Sequence, residues 1–259
     1  MMSRRVTLLL TIALTFVWTG VALAFLRALG TDWSVFPPAT CLGTHCFCEA
    51  PRTGELLLQP ANSWSSLGFV VVGGWISLRA GHDRDSALGI LPSLWLGLSA
   101  IIIGIGSLAL HATLTLWGQF ADVLGMYMFG SFVLVRALAR WRGLGTAASV
   151  VLYLGIAGTL IALLGIAPET RRWLFAVLLV AAIAAEWGLA RRLRPGARPE
   201  LFVAGLAANL LAFSLWIADQ TLVLCDRGSL LQGHAAWHLL GAVAVAFSYA
   251  YYRGERRAV

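Results

Sequence analysis

Eight apolar segments follow one another along the chain, and each is long enough to cross a lipid bilayer as a helix. A spanning helix needs about 20 mostly apolar residues, because its backbone finds no water to bond in the bilayer. The chain is 59% hydrophobic and 12% charged, whereas about a quarter of a soluble domain is charged. The sequence therefore predicts an all-α, polytopic membrane helix bundle. The predicted spans cover residues 6–26, 61–78, 87–110, 120–138, 147–166, 174–189, 201–217 and 231–252.

The first apolar segment has two interpretations. Arg4 and Arg5 precede an apolar run that ends at Ala22-Leu23-Ala24, as in a cleaved signal peptide. However, an apolar run of about 20 residues is long for a signal-peptide core, so we expect an uncleaved transmembrane helix or signal anchor over residues 1–28. The chain then continues as an outer Cys-rich loop (29–60), a seven-helix core (61–252) and an inner basic tail (253–259).

The basic residues are all arginine, and they cluster between the apolar segments. With the N-terminus inside, fourteen of the nineteen arginines lie on the inner side, in agreement with the positive-inside rule. This predicts a multi-pass protein with both termini in the cytoplasm, and the lack of lysine favours a bacterial inner membrane. Loop charge accounts for the net charge of +7, so we expect no nucleic-acid partner. The arginines of the outer side are Arg27, Arg52, Arg171, Arg172 and Arg227.

Three histidines occur at one predicted depth of this bundle. Ser107 and His111 lie near the outer end of the third span, and Asp122 lies at the start of the fourth. His234 and His238 begin the last span, and their spacing of four places both rings on one helix face. Ionisable side chains inside a membrane bundle usually face its interior and carry function. The sequence therefore predicts a functional site near the outer face.

The residue types of this layer indicate a catalytic zinc site. Three histidine ligands (His111, His234 and His238) leave a fourth position for water, and zinc lowers the pKa of that water to near 7. Asp122 is the candidate base and Ser107 the candidate donor to the oxyanion. Buried packing histidines and haem ligation by H-x-x-x-H are the plainer interpretations. A serine hydrolase is disfavoured, because Ser107 lacks a G-x-S-x-G context.

Several short stretches also carry a resemblance to a known family. They are Gly106-Ser107-Leu108-Ala109-Leu110-His111, Gln119-Phe120-Ala121-Asp122, Trp216-Ile217-Ala218-Asp219 with Cys225, His234-Ala235-Ala236-Trp237-His238, and Cys48-Glu49 with Asn62-Ser63-Trp64-Ser65-Ser66. Together they resemble the alkaline ceramidases, members of a superfamily of seven-helix membrane hydrolases that includes adiponectin receptors and Per1-like proteins. The resemblance spans residues 48–252. It leaves the first helix as an addition to a seven-helix core, with eight helices in total.

The resemblance implies that the three histidines hold Zn²⁺ and that Ser107 and Asp122 flank the bound water. The implied reaction is hydrolysis of the amide of ceramide or a related N-acyl lipid of the bilayer, which yields a fatty acid and an amine. Asp219, Trp237 and Glu49 lie in the matched stretches as possible supporting residues. Eukaryotic members carry a Ca²⁺ site before the first core helix. Only Glu49 matches it well here, and Ca²⁺ needs several oxygen ligands, which argues against this ion.

Three further functions stay open at this point. An ester-cleaving lipid hydrolase of the same superfamily would use the same activated water. A membrane receptor or structural protein would use zinc only to hold helices together. A haem-binding electron carrier would need two axial histidines and would leave Ser107 and Asp122 without a role. The oligomeric state does not follow from the sequence.

All four cysteines fall on the predicted outer side, where disulfides persist. Four cysteines allow three connectivities. Cys46 and Cys48 are poor partners, because residues so close in an extended segment rarely meet disulfide geometry. The ceramidase resemblance implies that Cys48 pairs with Cys225, which leaves Cys41 for Cys46. A second metal site is disfavoured by the absence of a C-x-x-C spacing.

Overall fold

The computed structural model describes residues 3–42, 46–82 and 86–256, and these residues form a bundle of helices. Within these ranges the structure has no β-strand and only two isolated bridges. The predicted all-α membrane bundle is confirmed. The helices are α1 (Arg4–Leu29), α2 (Pro60–Ser65), α3 (Leu67–Arg79), α4 (Ile90–Thr113), α5 (Leu116–Arg142), α6 (Thr146–Ile166), α7 (Arg171–Ala185), α8 (Pro199–Gln220) and α9 (Gly233–Gly254).

Six helical segments among the described residues are long and apolar enough to cross a membrane. The two remaining predicted spans are helical but depart from a continuous apolar helix. The span predicted over 61–78 is divided at Ser66 into α2 and α3. The last span, α9, carries polar histidines and tyrosines that are buried in the bundle. The six segments are Arg4–Leu29, Ile90–Thr113, Leu116–Arg142, Thr146–Ile166, Pro168–Leu193 and Pro199–Gln220.

Helices α4 and α5 approach each other closely at the level of the predicted site. A Cβ atom added to Gly106 would collide with the backbone of Ala121 and lie 2.8 Å from the backbone nitrogen of Asp122. Only a residue without a side chain lets the two backbones come so near. Because Ser107 follows Gly106 directly, this contact sets the distance between Ser107 and Asp122.

Replacing Gly106 with alanine should therefore destabilise the bundle and reduce activity. Overpacking of a tight contact costs about 1–3 kcal/mol, and the displaced backbones would separate Ser107 from Asp122. Gly155→Ala is the matched control, since a Cβ at Gly155 on α6 meets no atom within 4 Å. Thermal unfolding in detergent measures both variants. An equal effect of the two substitutions would contradict the role assigned to Gly106.

A buried ionic cluster joins α7 to α9 at the end of the bundle opposite the histidines. Arg194 Nε donates to Glu186 Oε1 at 2.6 Å, and Arg194 Nη1 donates to Glu255 Oε2 at 2.6 Å. Tyr251 Oη also donates to Glu186 Oε1 at 2.7 Å. Burial alone would lower the pKa of Arg194, but the hydrogen bond and charge of Glu186 outweigh it and raise that pKa. The cluster fixes one end of α9, and its other end carries two histidines.

Candidate metal centre and active site

The three predicted histidines come together in the interior of the bundle. His111 lies in the last turn of α4, and His234 and His238 lie in the first turns of α9. Their side chains are 0%, 6% and 2% exposed. One nitrogen atom from each ring lies within 4.8 Å of the other two, so the three rings can hold a metal ion.

Hydrogen bonds orient two of the rings toward the shared centre. Gln59 uses its amide N–H to donate to the Glu49 carbonyl at 2.7 Å, so its Oε1 accepts from His111 Nδ1 at 2.9 Å. Ser65 donates to the Asn62 carbonyl at 3.0 Å, and its oxygen then accepts from His238 Nδ1 at 2.8 Å. In both rings the proton therefore sits on Nδ1, and the Nε2 lone pair faces the centre.

The spacing and chemistry of these nitrogens fit a zinc ion. His111 Nε2 and His234 Nε2 are 3.1 Å apart, close to the separation of about 3.3 Å between two ligands of a tetrahedral ion at 2.0–2.1 Å. Three neutral imidazoles that leave one open position are a ligand set of catalytic zinc sites. His234 Nδ1 is buried and has no partner among the described residues. Two of the three rings thus have supporting hydrogen bonds of the kind that metal-ligating histidines usually make.

Ser107 and Asp122 lie beside the histidines, as the sequence predicts. Ser107 is one turn before His111 on α4, and its Oγ lies 3.0 Å from His238 Nε2. The Asp122 carboxylate on α5 lies near the Ser107 hydroxyl. Both side chains line the same cavity as His234 and His238. The arrangement brings a carboxylate, a hydroxyl and a candidate metal position to one point.

The possible supporting residues have separate structural positions. Asp219, near the end of α8, accepts hydrogen bonds from the backbone N–H of His234 at 3.1 Å and of Cys48 at 3.0 Å. It therefore ties the start of α9 to the loop before α2. Trp237 lies beside the site, where it lines the cavity and its ring packs 4.4 Å from that of Phe213.

Glu49 caps the first core helix. Its two carboxylate oxygens accept the backbone N–H groups of Ala61 and Asn62 at 2.8 and 2.9 Å. Free N–H groups at a helix start favour a negative charge. Burial raises the pKa of Glu49, and the two backbone donors act against that rise. Glu49 thus holds the segment from which Gln59 reaches His111.

The sequence analysis missed the role of the residues that orient the site from α2 and from the loop before it. Gln59 and Ser65 bind the two histidine rings, and the Phe47 ring packs 4.5 Å from that of His111 and 4.3 Å from that of His234. Ser65 belongs to one of the stretches that resemble the ceramidases, whereas neither composition nor spacing pointed to Gln59 or Phe47. His45, which lies in the same loop, is outside the described residues.

Both disulfides implied by the resemblance are present. Cys48 is bonded to Cys225 with an S–S distance of 2.05 Å, and Cys41 is bonded to Cys46 with a distance of 2.12 Å. The first bond joins the loop that carries Phe47 to the segment between α8 and α9. It therefore closes the chain around the histidine centre.

Removing the long disulfide should destabilise the protein more than removing the short one. The chain-entropy model gives about 5 kcal/mol for a loop as long as the one that Cys48–Cys225 closes, and about 2 kcal/mol for the short loop. The separations are 177 and 5 residues. Thermal unfolding of Cys48→Ser/Cys225→Ser and of Cys41→Ser/Cys46→Ser tests this order. A larger loss from the short pair would contradict it.

A cavity of about 490 Å³ runs from the histidines into the bundle between α4, α5, α7, α8 and α9. Its far part is lined by apolar side chains such as Phe129, Phe175, Phe202 and Leu206. Among the described residues, α7 and α8 have hardly any direct contact along their lengths. This lack of contact leaves a slit between α7 and α8, and side chains close the slit only at its two ends. The polar end of the cavity is lined by Ser107, Asp122, Arg171, Arg172, His234 and His238.

Comparison with known proteins gives one family match, which covers most of the chain. No curated protein matches the chain significantly. The family described as Ceramidase matches residues 47–256. This range begins at Phe47 and contains every residue of the histidine centre, while α1 lies outside it. The chain belongs to the Ceramidase family.

Proposed function

We propose that the protein is a zinc-dependent hydrolase that cleaves the amide bond of ceramide or a related N-acyl lipid within the membrane. The observation that carries the proposal is the placement of Ser107, Asp122 and three histidines at the polar end of an apolar cavity. A receptor or a purely structural zinc site has no need for a buried hydroxyl and a half-buried carboxylate beside the metal position. Membership of the Ceramidase family supports hydrolysis of an amide.

The residues around the cavity have separate roles in the proposed reaction. His111, His234 and His238 would hold a zinc ion, which when bound would supply Lewis acidity and lower the pKa of a water molecule. Asp122 accepts a proton from the attacking water molecule as the water oxygen bonds to the carbonyl carbon. Ser107 donates a hydrogen bond to the negative charge that develops on the carbonyl oxygen. Asp122 then returns the proton to the amide nitrogen, the C–N bond breaks, and a fatty acid and an amine leave.

The shape of the cavity supports a lipid substrate. Its volume of about 490 Å³ lies in the usual range for small-molecule sites, and its apolar part suits an acyl chain. The slit between α7 and α8 opens the cavity toward the bilayer, so a lipid can enter from the side. The guanidinium of Arg172 lies 5.3 Å from the Trp216 ring at one end of the slit, and Trp187 stacks on Phe202 at the other.

The proposal includes the location of the site. The end of the bundle that carries both disulfides would face the outside, because disulfides persist in oxidising compartments. The arginine-rich loops would then face the cytoplasm, in agreement with the positive-inside rule. We propose a bacterial inner membrane with the active site in the outer leaflet.

A lipid panel tests the function. The purified protein, loaded with zinc in nanodiscs, would be incubated with ceramides, N-acyl ethanolamines and acyl esters of the same chain length, and the released fatty acid measured by mass spectrometry. We expect amides to be cleaved, a chelator to stop the reaction and zinc to restore it. Preferred cleavage of the esters would replace the amidase proposal with an esterase. No release from any lipid would refute hydrolysis.

A further inference from the structure

Two adjacent arginines line the polar end of the cavity, where the head group of a lipid would lie. Arg171 is 8% exposed and donates from Nη1 to Thr40 Oγ1 at 2.5 Å. Thr40 in turn donates from its hydroxyl to Gln119 Oε1 at 3.0 Å. Arg171 is therefore held rigidly. Arg172 is exposed and lies at the mouth of the slit, over the ring of Trp216.

The two positive charges of these arginines face a single negative charge in the cavity, that of Asp122. Asp122 is the only carboxylate among the described residues that line the cavity, and neither arginine forms an ion pair with any described carboxylate. Both residues lie in the first turns of the helical segment Pro168–Leu193, where the helix dipole adds partial positive charge. The polar end therefore has an excess of positive charge. An anionic head group would offset this charge, whereas a neutral head group would leave it unbalanced.

The contact with Trp216 leaves Arg172 free to bind an anion. The cation–π contact with Trp216 does not require any of the five N–H donors of the guanidinium, which lie in the plane of the group. These donors match the oxygen atoms of a phosphate or carboxylate in a two-point contact. The ring contact also holds the side chain in position, so less conformational entropy is lost on binding.

We propose that the lipid amide cleaved by this protein carries an anionic group, a phosphate or a carboxylate, on the amine side of the amide. Arg172 binds this group directly, and Arg171 adds positive charge behind it. The inference rests on the proposed hydrolase function and names its substrate class. Arg172 acts in the choice of substrate, whereas Asp122 and Ser107 act on the amide.

Matched pairs of substrates test the proposal. Ceramide 1-phosphate is compared with ceramide, and N-acyl glycine with N-acyl ethanolamine, each pair with one acyl chain. We expect kcat/KM to be about tenfold to a hundredfold higher for the anionic member of at least one pair, as charge-assisted hydrogen bonds would give. The pair with the larger ratio distinguishes phosphate from carboxylate. Equal rates within both pairs would overturn the proposal.

Variants identify the residue responsible. Arg172→Gln should lower the ratio of kcat/KM for the anionic lipid to kcat/KM for the neutral lipid to near one, whereas Arg172→Lys should keep part of the preference. Arg27→Gln is the matched control, because Arg27 is exposed at the same end of the bundle and does not line the cavity. If Arg172→Gln and Arg27→Gln lost the preference for the anionic lipid equally, general surface charge would explain the preference. That result would overturn the assignment of Arg172.

A binding measurement separates this inference from the hydrolase proposal. Hexadecyl phosphate and hexadecanol contain no amide, so their affinities do not depend on catalysis. Calorimetric titration in zwitterionic nanodiscs should give a Kd for hexadecyl phosphate at least about tenfold lower in the wild type than in Arg172→Gln. If no amide lipid is cleaved but this difference is found, the hydrolase fails and the anion site stands. Equal affinity in the two proteins would refute the site.

Discussion

Substitution of His234 or His238 by alanine is expected to abolish stoichiometric zinc binding and all measurable hydrolysis. Each variant removes one of the three proposed zinc ligands, and the fourth position, which is left open for water, cannot compensate. Both rings come from the first turns of α9 and share their centre with His111. Elemental analysis of purified protein should give about one zinc per chain in the wild type and a large deficit in either variant.

His82→Ala provides the control for this experiment. His82 is exposed in the loop after α3 and does not belong to the histidine cluster. It should keep its zinc and its activity, which excludes a general effect of removing an imidazole from the protein. Full zinc content in both α9 variants would show that the metal is bound elsewhere in the protein. Circular dichroism of each variant would establish that the helices remain.

Asp122→Asn should keep the zinc and lose most of the activity. Asparagine has nearly the same shape as aspartate but accepts no proton, and general-base contributions are typically about 10²–10⁴-fold. The change leaves the three histidines and their supporting hydrogen bonds intact, so the metal should stay. Both kcat and zinc content are measured on the same preparation.

Glu169→Gln makes the same chemical change at an exposed carboxylate before α7, away from the cavity. It should leave kcat unchanged. A decrease below about threefold in Asp122→Asn would mean that another group accepts the proton. Loss of zinc in this variant would instead assign Asp122 to the metal site.

The course of the helices could be predicted because a long apolar run in lipid has hardly any stable form other than a helix. The pairing of His234 and His238 followed from their spacing of four, and their meeting with His111 followed from a common predicted depth. The division at Ser66 could not be predicted, because local polarity does not reveal which backbone groups the neighbours satisfy. The turn of π-helix at Glu186–Ala190 likewise depends on the buried pairing of Glu186 with Arg194.

The surroundings of the histidines were less accessible to sequence analysis. Gln59 reaches His111 across 52 residues of sequence, and such contacts depend on how a loop folds over the bundle. Arg171 and Arg172 were interpreted as loop charge that sets orientation, because counting charges does not show that both side chains line a cavity. The long disulfide was implied by the resemblance to ceramidases, since spacing alone left the pairings open.

The polar character of α9 has a consequence for biosynthesis. This helix emerges from the ribosome after α1–α8, and it is not among the segments apolar enough to cross a membrane by composition alone. It packs against α2, α3, α4 and α8, so its insertion depends on an acceptor surface that the earlier helices have already built. Because α9 supplies two of the three histidines, a chain interrupted before it has only one. Partly synthesised chains therefore cannot assemble the histidine centre. The surrounding lipids can reach this centre only after the bundle is complete.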